Sequence, residues 1–259
     1  MLAPPGSLSG DHPYGFRSAY ISSSTSIKEP LFLDQRSALY SRNPRLLPNW
    51  VCYDSLVRKT AKDGTPVATM KRVTPIDPAW LGELAKGSRL LSLGEPLKSH
   101  QPTYDADRDA VLCCVLTKFG TKKWEIPPMQ VEMFPALQAH GKTSVGFLLD
   151  DSFRWFARYL LEGKVLPELK GLGPLLSDDP VLISRKSPVA KVALLVSALS
   201  SAGVDSARAL RIHWAVQDKK FLFKHLKSWV KPSHGPEARR IWMDAVKKNI
   251  QQWKDDDVM

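Results

Sequence analysis

The segment 50–81 constrains the fold most, because its pattern predicts a strand, a tight turn, a second strand and a capped helix. Residues 50–57 place apolar and aromatic side chains at Val51, Tyr53, Leu56 and Val57, as in a half-buried strand or a short helix. Residues 62–66 contain an Asp-Gly step, which favours a turn. Residues 67–73 then predict a returning strand.

A short helix is predicted after this hairpin. Asp77 is a suitable N-cap and Pro78 suits the first helical position. Gly87 can end the helix. Its apolar side chains are expected on one face, at Trp80, Leu81 and Leu84.

The remainder of the first half predicts more short strands. Residues 110–116 form a continuous apolar run, typical of a strand buried on both sides, and residues 89–109 before them are predicted as a loop. Residues 119–124 predict a basic turn and 130–133 a partly exposed strand. About five short strands and one helix favour a small barrel of the oligonucleotide-binding (OB) type over residues 28–135.

Beyond this region the hydrophobic period becomes helical. Leu149, Phe153, Phe156 and Leu160 are spaced as on one helix face. Ser187-Pro188 and Gly203 bracket another helix, and Pro236 can open a last one. We therefore expect an α+β chain: a small OB-type β-barrel followed by an α-helical C-terminal domain over residues 147–254.

The two ends of the chain differ from this core. Residues 1–27 are rich in Pro, Gly and Ser and are expected to be poorly ordered, while 255–259 form an acidic tail. The apolar runs are shorter than the roughly 18 residues of a membrane span, so no membrane association is predicted. The first residues also lack the pattern of a secretory signal.

The charge balance favours anionic partners. Lys and Arg total 37 against 26 Asp and Glu, which leaves a formal net charge of +11, and nucleic acid is the commonest partner of such a chain. Plain solubility is the alternative. Three cysteines, two of them adjacent at 113 and 114 in an apolar run, predict core residues in a reduced, intracellular protein.

No catalytic or metal site is predicted. Gly141-Lys142-Thr143 lacks the earlier glycine that a phosphate-binding loop needs. The acid pairs Asp150-Asp151 and Asp178-Asp179 are interpreted as caps or turn residues, and the six histidines have no metal-ligand spacing.

Two basic groups are the candidate binding residues. Residues 208–254 contain twelve Lys or Arg interleaved with aromatic residues, which we interpret mainly as core rings with a solvated basic face; contact with nucleic acid or an acidic protein is the open alternative. The second group is predicted to bind RNA from the barrel region: Arg58, Lys59, Lys62, Lys71, Arg72, Lys118, Lys122 and Lys123.

The same region resembles the OB-fold domain near the C-terminus of DEAH-box RNA helicases. The residues that carry the resemblance are Pro30 to Leu33, Ser37 to Leu39, Trp50 to Tyr53, Leu56-Val57, Lys59-Thr60, and Met70 to Ala85, with Thr74 to Leu81 the most specific. Later segments, among them Trp124 to Pro128 and Phe153 to Val165, resemble the ribosome-biogenesis member of the family.

This resemblance implies a role in small ribosomal subunit biogenesis and rRNA processing in the nucleus and nucleolus. The implied partners are pre-rRNA or small nucleolar RNA, the helicase motor domains and proteins of the small-subunit processome. ATP and Mg belong to the motor of the full-length family, and this chain has no phosphate-binding loop or Asp-Glu-Ala-His box. No cofactor is therefore expected here. The chain is predicted to be a fragment or a separate non-catalytic RNA-binding module, with a protein-interaction module lacking direct RNA binding as the alternative.

Overall fold

The computed structural model describes residues 5–6, 19–60, 64, 66–133, 149–185 and 188–256. The predictions for Lys62, the triplet at 141–143, the cap at Ser187 and most of residues 1–27 lie outside this part of the chain. The chain forms two compact units. The first comprises Met1–Glu95 with Val115–Met129, and the second comprises Pro96–Cys114 with Gln130–Met259.

Nine strands are described, in two sheets. They are β1 (Pro5–Gly6), β2 (Ala19–Tyr20), β3 (Leu31–Leu33), β4 (Val51–Thr60), β5 (Pro66–Pro75), β6 (Leu91–Pro96), β7 (Thr103–Asp105), β8 (Ala110–Phe119) and β9 (Trp124–Glu132). The first sheet has the order β1-β2-β3-β5-β4, and the second has the order β6-β8-β7 with β9 paired to β8. The described strands do not close into a barrel. The α+β class is confirmed, and the OB-type barrel is not.

Seven α-helices are described. They are α1 (Pro78–Leu84), α2 (Leu149–Leu161), α3 (Val181–Ser184), α4 (Ala190–Ala202), α5 (Ala207–Val216), α6 (Phe223–Lys227) and α7 (Gly235–Asp256), with 3-10 turns at Pro44–Leu46, Pro167–Leu175 and Pro232–His234. Among these residues no single helix is long and apolar enough to cross a membrane; α4 and α5 pass that test only as a pair bent by 77°.

The predicted hairpin and helix of segment 50–81 are confirmed. β4 and β5 pair antiparallel from Val51 opposite Pro75 to Thr60 opposite Pro66. The side chain of Asp77 accepts a hydrogen bond from the N–H of Ala79 at 2.9 Å, and Pro78 is the first residue of α1. The local chemistry of the sequence was sufficient to locate these elements.

The β4–β5 ribbon changes its buried face partway along. Near one end Val51 and Tyr53 are buried, and near the other Ala68 and Met70, on the opposite face, belong to the same core. Arg72 lies between these positions with φ 51, in the left-handed region that a non-glycine residue rarely adopts. Both faces of the one ribbon therefore contribute to a single core.

The prediction of a loop over residues 89–109 is wrong for two segments, because β6 and β7 lie within this range. β7 pairs with β8 through Tyr104 opposite Val111. Gly94 and Pro96 interrupt the alternation of β6, so its pairing depends on a partner strand distant in sequence rather than on a local pattern.

The helical unit has an aromatic core. Trp214 and Trp242 are fully buried and meet edge to face with ring centroids 5.4 Å apart, and Trp229 is also fully buried. Tyr159 of α2 donates a hydrogen bond to the carbonyl of Pro102, which attaches the segment before β7 to the helices. The predicted helices near 149–160 and 190–202 are confirmed, and Gly203 ends α4 in the left-handed conformation.

Candidate nucleic-acid interface

The described residues of the predicted RNA-binding group all lie in the first unit. Two are on β4, two on β5, one on β8 and two in the turn that follows it: Arg58, Lys59, Lys71, Arg72, Lys118, Lys122 and Lys123. All are exposed except Lys71, which is half-buried.

Three of these cations form ion pairs. The Nε of Arg58 lies 2.8 Å from Oε1 of Glu29, Lys71 contacts Asp34, and Arg72 contacts Asp54. Asp54 and Arg72 lie between the paired positions Tyr53–Val73 and Ser55–Lys71 of the β4–β5 ladder, and their side chains meet as opposite charges prefer. The charges of these three cations are therefore largely compensated within the unit.

The partner carboxylates respond to these contacts. The hydrogen bond from Arg58 lowers the pKa of Glu29, and the hydrogen bond from Lys71 lowers the pKa of Asp34. Both carboxylates therefore stay ionised at neutral pH and keep their ion pairs with Arg58 and Lys71. A polyanion would have to compete with them for these side chains.

The other four cations are available to an external partner. Within the described residues, Lys59, Lys118, Lys122 and Lys123 are exposed and have no carboxylate within ion-pair distance. The turn that carries two of them is held in place. The N–H of Gly120 donates to the carbonyl of Leu90 at 2.8 Å, and the hydroxyl of Thr121 donates to the carbonyl of Ser23 at 2.8 Å.

A tryptophan pair adjoins this turn. Trp124 directly follows Lys123, and its ring meets that of Trp50 edge to face with centroids 5.5 Å apart. Both rings are half-buried. Sequence reasoning did not bring the two tryptophans together, because Trp50 directly precedes β4 and Trp124 begins β9, and these strands belong to different sheets. Cations beside partly exposed rings suit contact with single-stranded nucleic acid.

The basic segment 208–254 lies in the second unit. Its tryptophans at 214, 229 and 242 are buried, so the interpretation of these rings as core is confirmed. Phe221 and Phe223 remain half-buried. The rings of His213 and Phe221 are in contact at an interplanar angle of 41°, with centroids 3.9 Å apart, and burial lowers the pKa of His213.

The acidic and thiol groups have structural roles where they are described. Asp179, just before α3, accepts a hydrogen bond from the N–H of Val181 at 2.9 Å, and Asp178 pairs with Lys191. Burial raises the pKa of the Cys113 thiol to about 11, which leaves it protonated. Within the described part of the chain no three His, Cys, Asp or Glu side chains are grouped to hold a metal.

Comparison with known proteins identifies relatives. Residues 174–246 match a family described as the DEAH helicase DHX37 C-terminal domain. The chain is 30% identical over 225 residues to the ATP-dependent RNA helicase DEAH13 of Arabidopsis thaliana, an alignment that covers 86% of the chain and 16% of that protein. It is 25% identical over 220 residues to the probable ATP-dependent RNA helicase DHX37 of Homo sapiens, covering 83% and 17%.

A further relative is the probable ATP-dependent RNA helicase kurz of Drosophila melanogaster, 26% identical over 238 residues, which are 91% of this chain and 18% of that protein. The resemblance to DEAH-box RNA helicases is thereby confirmed for most of the chain. The chain spans less than a fifth of the length of the curated relatives it matches.

Proposed function

We propose that this chain, a relative of the DEAH-box RNA helicases, is a non-catalytic RNA-binding accessory module of such a helicase. The observation that carries the proposal is the set of four exposed cations in the first unit that form no ion pair with a described carboxylate, two of them in the turn that precedes the half-buried tryptophan pair. Lysines supply phosphate contacts that do not depend on base sequence, and the rings supply stacking.

The wider context belongs to the same proposal. We take the two sheets to represent an OB-type fold, and we place the module in small ribosomal subunit biogenesis and rRNA processing. Its RNA would be pre-rRNA or small nucleolar RNA, its protein partners helicase motor domains and processome proteins, and its location the nucleus and nucleolus. The family resemblance supports these assignments.

The test is fluorescence anisotropy of a labelled single-stranded RNA of about 12 nucleotides, within the site sizes usual for such modules, titrated with the full chain. Binding should weaken steeply with salt, because displaced counterions oppose association. The variant K118Q/K122Q/K123Q should bind more weakly and reduce the magnitude of the salt slope by about 2.

A matched control keeps the charge change constant. The variant K28Q/R42Q/K86Q removes three exposed cations of the same unit that form no ion pair with described residues and are not part of the predicted RNA-binding group. This control variant should retain most of the affinity of the unmodified chain for RNA.

If the unmodified chain fails to bind RNA at low salt, the proposed function is wrong for this chain.

The alternative, a protein-interaction module without direct RNA binding, is favoured by one observation. Trp80 and Leu84 lie four residues apart on α1 and are 60% and 81% exposed, whereas Leu81 of the same helix is buried. Exposed apolar side chains of this size are typical of a docking surface. If the chain captures a helicase motor domain but binds no RNA, this alternative function is supported instead.

A further inference from the structure

We propose that the second unit carries its own RNA-contacting surface, formed by the lysine loop, which we define as residues 218–231. This inference rests on the proposed function and extends it, because it places a separate phosphate-binding surface outside the first unit. Its ligand is the backbone of single-stranded RNA, bound by five lysines: Lys219, Lys220, Lys224, Lys227 and Lys231.

The lysines of the loop are free for an external anion. All five are exposed, and none lies within ion-pair distance of a described carboxylate. Other lysines of the same unit are paired, such as Lys191 with Asp178 and Lys248 with Glu168. The loop thus differs from the neighbouring surface, where carboxylates compensate the cations.

One acid accompanies these five lysines, which leaves the loop with a net charge of 5 − 1 = +4. That acid is Asp218, whose Oδ1 accepts a hydrogen bond from the N–H of Lys220 at 2.8 Å. Its carboxylate is directed to the backbone and makes no ion pair with a lysine of the loop. The positive potential of the loop is therefore largely uncompensated.

The backbone of the loop is fixed by buried anchors. Leu222, Leu226 and Trp229 are buried, and the indole N–H of Trp214 donates to the carbonyl of Phe221 at 3.3 Å. At the C-terminal end, the N–H of Lys231 donates to the carbonyl of Leu175 at 3.0 Å. A cationic surface on a fixed backbone binds without the entropy cost of ordering the loop.

Ring surfaces lie among the lysines. Three residues separate Lys220 from Lys224. The middle one, Leu222, is buried, and the outer two, Phe221 and Phe223, are half-buried. The ring of His213 contacts that of Phe221 at a tilt of 41°. Bases can stack on partly exposed rings, while the carboxylates of an acidic peptide cannot. This arrangement favours RNA over an acidic protein segment as the partner.

The test compares two triple variants of the full chain in the anisotropy assay with single-stranded RNA. K220Q/K224Q/K227Q removes three cations of the loop, and K170Q/K247Q/K254Q removes three exposed cations elsewhere in the second unit. The loop variant should bind at least about tenfold more weakly and reduce the magnitude of the salt slope by about 2. The control variant should change both much less.

The outcomes separate this inference from the proposed function. If the loop variant binds RNA with unchanged affinity and slope while the unmodified chain binds, the lysine loop is not an RNA surface and the proposed function stands. If the loop variant loses binding to polyglutamate but keeps RNA binding, the surface is a protein site and the inference is wrong. Unchanged urea midpoints for both variants would establish that all three proteins fold alike.

Discussion

The carboxylate of Asp109 accepts two backbone hydrogen bonds at the start of α5, from the N–H of Ala207 and from the N–H of Arg208, each at 2.7 Å. The hydroxyl of Ser206 accepts from the N–H of Ala209 at 3.2 Å, and the carbonyl of Ser206 accepts from Leu210. The N–H groups of the first three residues of α5, which have no partner within the helix, are therefore satisfied by side chains. Two of the three depend on a residue about a hundred positions away in sequence.

Removing the carboxylate of Asp109 should destabilise the second unit. D109A leaves two backbone N–H donors and the hydroxyl of Tyr104 without their acceptor and places alanine at φ 49, so we expect a loss of about 2 kcal/mol in the free energy of unfolding. D109N should lose less, because asparagine tolerates this backbone conformation and keeps one acceptor. Urea denaturation measures the losses. D107A, at an exposed neighbour, is the control, and a loss as large there would contradict the capping role.

Two glycines at helix ends should differ in their tolerance of alanine. Gly163 and Gly203 have nearly the same backbone conformation, with φ 66 and 65. A Cβ at Gly163 would lie 2.6 Å from backbone atoms of Lys170, whereas a Cβ at Gly203 would meet nothing within 4 Å. G203A should cost about 1 kcal/mol from conformation alone, and G163A clearly more. Equal shifts in the thermal midpoint would show that the steric contact is unimportant.

The edge-to-face tryptophans should respond differently to phenylalanine. The indole N–H of Trp214 donates to the carbonyl of Phe221, while the buried Nε1 of Trp242 has no partner among the described residues. W214F leaves a carbonyl unpaired, so it should lose about 1 kcal/mol more than W242F, which removes an unsatisfied donor. Urea denaturation of the two variants provides the comparison. A larger loss for W242F would mean that ring volume outweighs the hydrogen bond.

The ionisation of Glu168 should depend on Lys248. Burial raises the pKa of Glu168, but hydrogen bonds from Lys248, the backbone and Asn249 outweigh it, and the net pKa is lowered. Since the folded pKa is below the unfolded value of about 4.3, this carboxylate stabilises the fold above that pH. The contribution is lost as pH falls through the folded pKa.

In K248Q the burial remains and the strongest opposing hydrogen bond is gone, so the pKa of Glu168 should rise. A carbon-detected NMR titration of the carboxyl group measures this directly. K247Q changes the neighbouring exposed lysine, which forms no ion pair with a described residue, and serves as the control. An unchanged pKa of Glu168 in K248Q would exclude Lys248 as the cause of the shift.

The sequence predicted which cations belong to the candidate interface, but not which of them form ion pairs with carboxylates. Composition and turn chemistry were sufficient to select the lysines at 122 and 123, since both lie in an exposed turn. The pairing of Arg58 with Glu29 and of Lys71 with Asp34 joins residues that are 29 and 37 positions apart. No local pattern distinguishes a lysine that will meet such a carboxylate from one that will remain available to RNA.

The sequence alone determined the features that depend on neighbours along the chain. The Asp77-Pro78 helix start, the β4–β5 hairpin and the helical stripe of α2 follow from caps, turns and hydrophobic period, which act within a few residues. The tertiary structure decided what depends on distant partners: the strand β6 within a predicted loop, the meeting of Trp50 with Trp124, and the capping of α5 by Asp109. The physical reason is that hydrogen-bond partners and ring contacts become available only when the folded chain brings remote segments together.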